Sequence, residues 1–482
     1  MVEIAVKYLE GVTGAKPWTG NADRVCKGVV IDSRKVGKDA IFVAFPGEHV
    51  DGNAFAPAAI EAGAACVVLT EKPDRKLLRL ADDHECAVFT VDDPRAFLLK
   101  LAQGYRSRMH CTVIGVTGSI GKTTTKDVLA ALLAKRYRVH ATSGNLNNEV
   151  GMPLTILSAP RNTQMLILEM GMDALGQISE LTRCAQPTFA IITKVGTSHI
   201  GMLGSRENIA RAKAEIIEGM PPSTENFEGH HSLLLLSGED DFTPFIIENF
   251  AKPAGVDVML CGSSADDDVS AANIELDEDG CPSFDITFED GNQFKTHLSI
   301  PGRQAVPNAL FAAALAHRLG IAVFEIDEVF GELQITGRRQ QLRRAACGAR
   351  VIDDSYNASP ESMAAGLDLL SSLPCDGQRV AFLGDMGELG EESERLHALV
   401  GAYAAAKRPS LLVCVGDAGA RAMADAAVLM GMDEDSVAVV PSCEKLIARY
   451  AHVLGPSDLA LVKASRFMGL DRFAEEVCAD VR

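Results

Sequence analysis

The chain has 482 residues, too many for one hydrophobic core, and at about 150 residues per domain it should divide into about three. Its 46 basic and 65 acidic residues leave a net charge of -19, which repels nucleic acid and anionic membrane wherever basic groups are not concentrated. An anionic ligand must therefore meet a local positive site. The twelve cysteines are scattered, with no CxxC pair and no zinc-like spacing, and read as reduced, mostly buried thiols of a cytosolic protein. The start, MVEIAVKYLEGVTGAKP, lacks the basic and then apolar order of a secretion signal, and no run of about 18 apolar residues occurs, so neither secretion nor membrane insertion is expected.

Up to about residue 106, β-branched runs at Lys27 to Ile31, Ile41 to Phe45 and Cys66 to Leu69 alternate with an alanine-rich helical stretch at Phe55 to Ala62. This predicts a small α/β domain over 1–106. From Cys111 the order is strand, glycine-rich turn, helix and the polar segment SGNLNNEVG, after which Pro153 starts another apolar run. Strands at Met165 to Glu169 and Thr188 to Thr193 each leave a polar or glycine-rich tip, where ligands gather in open parallel sheets. Between about 256 and 300, apolar and polar residues alternate around two Asp-Gly turns, which predicts a β-meander inserted before a helix at Pro307 to Leu319. After Thr336-Gly337-Arg338 the βα alternation resumes, with strands at Arg350 to Ile352, Arg379 to Leu383, Leu411 to Val415 and Leu459 to Val462. The expected domains are thus 1–106, 107–335 and 336–482, all α/β, with a parallel sheet in the middle one.

The segment VIGVTGSIGKTTTK, residues 113 to 126, has the layout of a phosphate cradle. Gly118 and Gly121 let backbone N–H groups approach phosphate oxygens, and the helix opening at Lys122, Thr123 and Thr124 adds its positive dipole end. Lys122 would bridge the β- and γ-phosphates of a nucleotide, with a Thr hydroxyl on Mg2+. Val116 stands where the strict Walker spacing wants glycine, so the loop belongs to a variant class. A metal site should then lie at neighbouring strand tips. Glu169 ends its strand there and is a candidate Mg2+ ligand, the alternative being a solvated loop acid. His199 follows the next strand and is either part of that site or an ordinary loop histidine. Lys213 falls among small and apolar residues on an expected helix. As an ammonium it has no reason to approach a metal and reads as a surface or ion-paired lysine, and only conversion to a carbamate would make it a ligand.

The strings TGSIGKTTTK, SGNLNNEVGMP, EMGMDALGQI, ITKVGTSHIGMLGSRENIARAKAEI, IDDSYNASPESM and LGDMGELGEESERLH, in this order and with the terminal LVKASRFMGL, resemble the Mur ligases of peptidoglycan synthesis over nearly the whole chain. The resemblance implies an N-terminal domain for a uridine nucleotide substrate, a central ATPase, and a C-terminal Rossmann-like domain for the incoming amino component. It implies ATP and Mg2+ as cofactors. Gly118, Ser119, Gly121, Lys122, Thr123 and Thr124 would hold phosphate, and Thr123, Glu169, His199 and a carbamylated Lys213 would hold metal. Asn308 would lie near adenine, Arg338 on a phosphate and Asp354 on the ribose. Ser33, Arg34 and Asp51, the last in GEHVDGNAF, would take the uridine diphosphate end, and Asn357 and Ser359 are further substrate candidates.

The YNASPESM segment, and the lack of a DNPR-type motif, favour the family members that join D-alanyl-D-alanine to UDP-N-acetylmuramoyl-tripeptide, acting as a cytoplasmic monomer. The alternatives are a member that adds a single diamino acid, a folylpolyglutamate synthetase, and a P-loop regulatory NTPase, whose guanine-reading NKxD motif is not found. The basic string GRRQQLRR at 337 to 344 reads as a solvated or phosphate-facing strand rather than a nucleic-acid site. Departures from the family pattern fall at Asn53, Lys194, Asp240 with Asp241, Gln304 and Ala305. Lys194 brings a cation close to the expected metals, where it either pairs with a substrate anion or points away.

Overall fold

The computed structural model describes residues 3–47, 50–333 and 337–478. Three sheets organise the chain. The first has five strands in the order Pro17–Thr19, Ala87–Thr90, Cys66–Leu69, Ile41–Val43, Val29–Val30, parallel except for the first pair. The expected strand from Lys27 to Ile31 is cut at Gly28, whose φ of 75° turns Val25–Lys27 away to pair with Glu3–Ala5. The segments GEHVDGNAF and 334–336 contain residues outside the described ones, and the expected boundary near 335 falls on the latter.

The second sheet has nine strands. At its centre Thr112–Thr117 lies between Met165–Glu169 and Phe189–Ile192, all parallel. The chain first runs outward to Val139–Ala141, returns to Met165–Glu169, and then crosses to the other side of Thr112–Thr117. Successive crossovers therefore leave in opposite directions at the C-terminal end of Thr112–Thr117, where open α/β sheets form a ligand crevice. TVIGVT is buried along its whole length because helices cover both faces. One covering pair is Lys122–Leu133 against Ala305–Arg318, whose run of alanines lets the two helices approach closely.

The expected meander is present in Val269–Leu276, Pro282–Thr287 and Gln293–His297, which pair antiparallel. It is not a separate insertion. Asp257–Gly262 runs parallel to Leu233–Ser237 and passes the sheet on to Val269–Leu276, so the meander is the far edge of the central sheet. The apolar run after Pro153 is a helix, Gly151–Ser158, with proline in its first turn, where no N–H is missed.

The third sheet orders Gln341–Arg344, Arg350–Asp354, Leu459–Lys463, Arg379–Gly384, Leu411–Val415 and Val437–Val440, parallel after the first pair. Among the described residues no helix is long and apolar enough to cross a membrane.

Candidate active site

A cavity of about 610 Å3 opens at the crevice of the central sheet and is closed from the other side by the third sheet's domain. Ser119, Gly121, Lys122, Thr123 and Thr124 form its floor. The turn is built by collision as well as by dihedral angle. Gly118 has φ 148° and Gly121 φ 88°, and a Cβ on the first would run into Thr193 Oγ1, on the second into Asn308 Oδ1. The Ser119 N–H donates to Lys194 O at 2.7 Å and its Oγ accepts from the Gly196 N–H at 2.9 Å, which ties the loop to the next strand tip. Lys122 Nζ donates to Gly118 O at 2.7 Å. Desolvation lowers its pKa, with the Glu169 carboxylate opposing.

Glu169 is 2% exposed at the end of its strand, and both oxygens are engaged: Oε2 accepts from Thr123 Oγ1 and Oε1 from Asn147 Nδ2, each at 2.8 Å. A buried carboxylate flanked by a hydroxyl is an oxygen donor set suited to a hard cation. Asn147 comes from SGNLNNEVG and was not singled out from the sequence. Its amide fixes the carboxylate's plane, as an outer partner of a metal ligand does.

His199 starts the short helix Ile200–Leu203 in left-handed backbone, φ 65°, and lines the cavity. Its Nδ1 lies 2.6 Å from Glu388 Oε2 but outside hydrogen-bond alignment. Lys213 sits on Arg206–Ala214, 2% exposed, so its reading as a surface lysine is corrected. The helix turns this residue inward to the layer under the sheet, where burial first, and then the Lys122 charge, push its ammonium well below the usual lysine value. No described carboxylate pairs with it.

The third sheet's domain contributes Asp354, Asn357, Ser359, Ser362, Glu388 and Lys463 to the cavity wall. Lys463 Nζ donates to Asp354 Oδ2 at 2.6 Å and to Asn357 O at 3.0 Å, which fixes the strand-end turn. Burial raises the Asp354 pKa while Lys463 opposes. Ser359 caps Pro360–Ser372 through Ser362 N. Asn308 lies behind the phosphate turn, its Nδ2 donating to Gln304 O at 3.0 Å.

Arg338 does not reach the cavity. Its guanidinium is held by Asp471 Oδ2 at 2.6 Å and Glu475 Oε1 at 2.8 Å, and the neighbouring Arg339 faces the cavity instead, 4.5 Å above the Tyr356 ring. Arg343 is likewise paired, with Asp353 and Glu475. Two of the four arginines in the basic string are thus paired with acids of this chain and a third faces the cavity, so the string does not form a continuous basic face for nucleic acid.

Ser33, Arg34 and Asp51 stand apart, in the first sheet's domain. Arg34 is spread on the surface, its side chain 87% exposed and paired bidentately with Asp32. Asp51 accepts from the Asn53 N–H and side chain at 2.9 Å, while Asn53 also bonds Thr70. Two other departures have structural partners: Asp240 accepts from the Val195 N–H at 2.6 Å and Asp241 is paired with Arg206. Lys194 is exposed at the cavity rim. With Lys122 and Arg339 it supplies the local positive charge that an acidic chain needs to receive an anion.

Comparison with known proteins bears on this site. Three family descriptions match in order: "Mur ligase family, catalytic domain" at 25–106, "Mur ligase middle domain" at 116–316 and "Mur ligase, glutamate ligase domain" at 337–466. The chain is 36% identical to the UDP-N-acetylmuramoyl-tripeptide--D-alanyl-D-alanine ligase of Bacillus subtilis, over 99% of each. It belongs to the Mur ligase family. Its likeness to the Escherichia coli ligase of the same name is 29% identity, over 98% of this chain and 97% of that one. Within the family its architecture is similar to MurF of Acinetobacter baumannii, with TM-score 0.86, 27% identity and 99% of both chains covered. MurF of Thermotoga maritima in complex with ADP gives TM-score 0.78 and 26% identity over 94% of this chain and 97% of that one.

Proposed function

We infer that this Mur ligase joins D-alanyl-D-alanine to UDP-N-acetylmuramoyl-tripeptide with cleavage of ATP to ADP and phosphate. The observation that carries the reading is one cavity walled by the phosphate turn of the central domain and by the Asp354 to Ser362 segment of the C-terminal domain. Relatives that share this chain's full length carry that activity in their names.

A carboxylate is a poor electrophile, and transfer of the γ-phosphoryl group from ATP makes it an acyl phosphate. The turn at Gly118 to Thr124 holds the phosphates in line, and Lys122 places its charge on the oxygens that gain negative character. Arg339, rather than Arg338, is the arginine positioned to add to that charge. Thr123 and Glu169 fit Mg2+, His199 lines the same cavity and Lys213 is near enough to Lys122 to feel its charge, and Mg2+ would supply neutralisation of the phosphate oxygens when bound. Lys213 joins this set only as a carbamate: the neutral amine that burial favours attacks CO2, forms the N–C bond and releases a proton. The neutral amine of D-alanyl-D-alanine then attacks the acyl carbon, the acyl C–O bond to phosphate breaks, and the nitrogen gives up one proton to solvent, leaving the amide. Asn357 and Ser359 stand on the wall from which that amine would arrive. Ser33, Arg34 and Asp51, in a separate domain, are assigned to the uridine diphosphate end.

We read the chain as a cytoplasmic monomer, a setting in keeping with twelve cysteines that are all free. Replacing Lys122 by alanine tests the phosphoryl step, since phosphate release should fall by at least about a hundredfold. Retained release would remove Lys122 from it.

A further inference from the structure

At the far edge of the central sheet, outside the lining of the ATP cavity, Asp277, Cys281 and His297 converge. Asp277 follows the strand Val269–Leu276, Cys281 closes the turn into Pro282–Thr287, and His297 ends Gln293–His297. Their free ligand atoms all lie within 4.8 Å of one another. Asp277 Oδ2 is 3.8 Å from His297 Nε2. Ligands about 2.0 to 2.3 Å from a tetrahedral Zn2+ stand about 3.3 to 3.8 Å apart, so small side-chain adjustments close the site.

Two of the three ligands are also oriented by a second contact. Asp277 Oδ1 accepts from the N–H groups of Asp279 and Cys281, at 2.9 and 2.8 Å, which leaves Oδ2 free. His297 Nδ1 lies 3.2 Å from Ser283 Oγ, directly across the ladder, which leaves Nε2 free. Imidazole fixed through its other nitrogen and carboxylate fixed through its other oxygen are what a metal site requires of its ligands. The thiol and imidazole select a borderline-soft cation over Mg2+ or Ca2+. Neighbouring Glu278 and Asp279 add negative charge around it.

We propose that Asp277, Cys281 and His297 bind Zn2+, with water as the fourth ligand, and that the metal staples the 277–281 turn to the strand Gln293–His297. On binding, the Cys281 thiol gives its proton to solvent and sulfur takes the metal. The turn is a seam between domains. Gly280 packs against Leu369 and Leu373, Gly280 O accepts from the Gly302 N–H at 2.8 Å, and Glu278 O accepts from Arg350 at 3.2 Å. A stapled turn would hold the segment that leads into the Asn308 helix.

Co2+ is the probe, added alone to the full chain without nucleotide. One equivalent should produce a thiolate-to-metal absorption band with tetrahedral visible transitions. Both should vanish in Cys281→Ser and His297→Gln and persist in Cys347→Ser, which removes an exposed thiol elsewhere. Ser283→Ala should weaken binding by about tenfold. Zn2+ should raise the Tm of the wild type and not of the two ligand variants, whose metal-free Tm should match the wild type. Absence of a thiolate band, or a band that survives Cys281→Ser, would overturn the assignment.

Discussion

A methyl group at position 118 would meet Thr193 Oγ1, and one at 121 would meet Asn308 Oδ1, both at backbone angles that side chains avoid. Gly118→Ala and Gly121→Ala should therefore weaken ATP binding by distorting the turn, at about 1–3 kcal/mol of strain each, checked by calorimetric titration. Lys213 gives a prediction of another kind. Its native pKa lies well below the ordinary 10.5, so between the two values the unfolded chain binds a proton that the folded chain does not, and stability rises with pH across that window. Denaturant midpoints in CO2-free buffer should show this slope, and Lys213→Met should remove it. Lys213→Ala should lose activity and recover part of it with a short carboxylic acid. No recovery would argue against the carbamate. Glu169 and the phosphate turn were legible because a buried strand followed by glycines and a helix start is a local pattern. Arg338 was not separable from Arg339, since which of two adjacent arginines faces a cavity depends on acids more than 130 residues away.

The loop between Phe189–Ile192 and Arg206–Ala214 carries Lys194 and His199, and the C-terminal domain grips it at three points. Glu361 Oε1 accepts from the Thr197 N–H at 2.7 Å and from its Oγ1 at 2.9 Å. Glu388 O accepts from the Gly201 N–H at 3.0 Å, and Gly201 touches Gly390 so closely that a Cβ on either would strike the other. This seam joins the C-terminal wall of the cavity to the wall that carries the phosphate turn. Glu361→Ala strands the Thr197 donors and should cost the closed arrangement about 1–3 kcal/mol. Phosphate release that is not coupled to amide formation should rise relative to ligation, because water gains access to the acyl phosphate. Unchanged coupling would mean that the seam only packs. Strands such as Ile41–Val43, Cys66–Leu69, Met165–Glu169 and Leu411–Val415 were readable from period and turn residues, whereas Pro17–Thr19, Ala87–Thr90 and Val437–Val440 were not. The meander's attachment was not, since the parallel pairing of Asp257–Gly262 with Leu233–Ser237 is set by the sheet rather than by local sequence.

Three α/β units on one chain suit a reaction that must hold an activated acyl group away from water until an amine arrives. The order of motifs along the sequence carried this architecture, because each motif sits at a strand end and all but the uridine segment reach one cavity. Long-range contacts were invisible beforehand: within the third sheet Lys463 meets Asp354 109 residues away, and across the seam Glu361 meets Thr197 164 residues away. The central claim is that the cavity couples ATP cleavage to one particular amine. Phosphate release should be measured with UDP-N-acetylmuramoyl-tripeptide and, in turn, D-alanyl-D-alanine, meso-diaminopimelate, L-lysine or no acceptor. Release stimulated by D-alanyl-D-alanine alone, with matching amide formation, is the predicted result. Release that ignores every acceptor, or that follows a diamino acid, would contradict it.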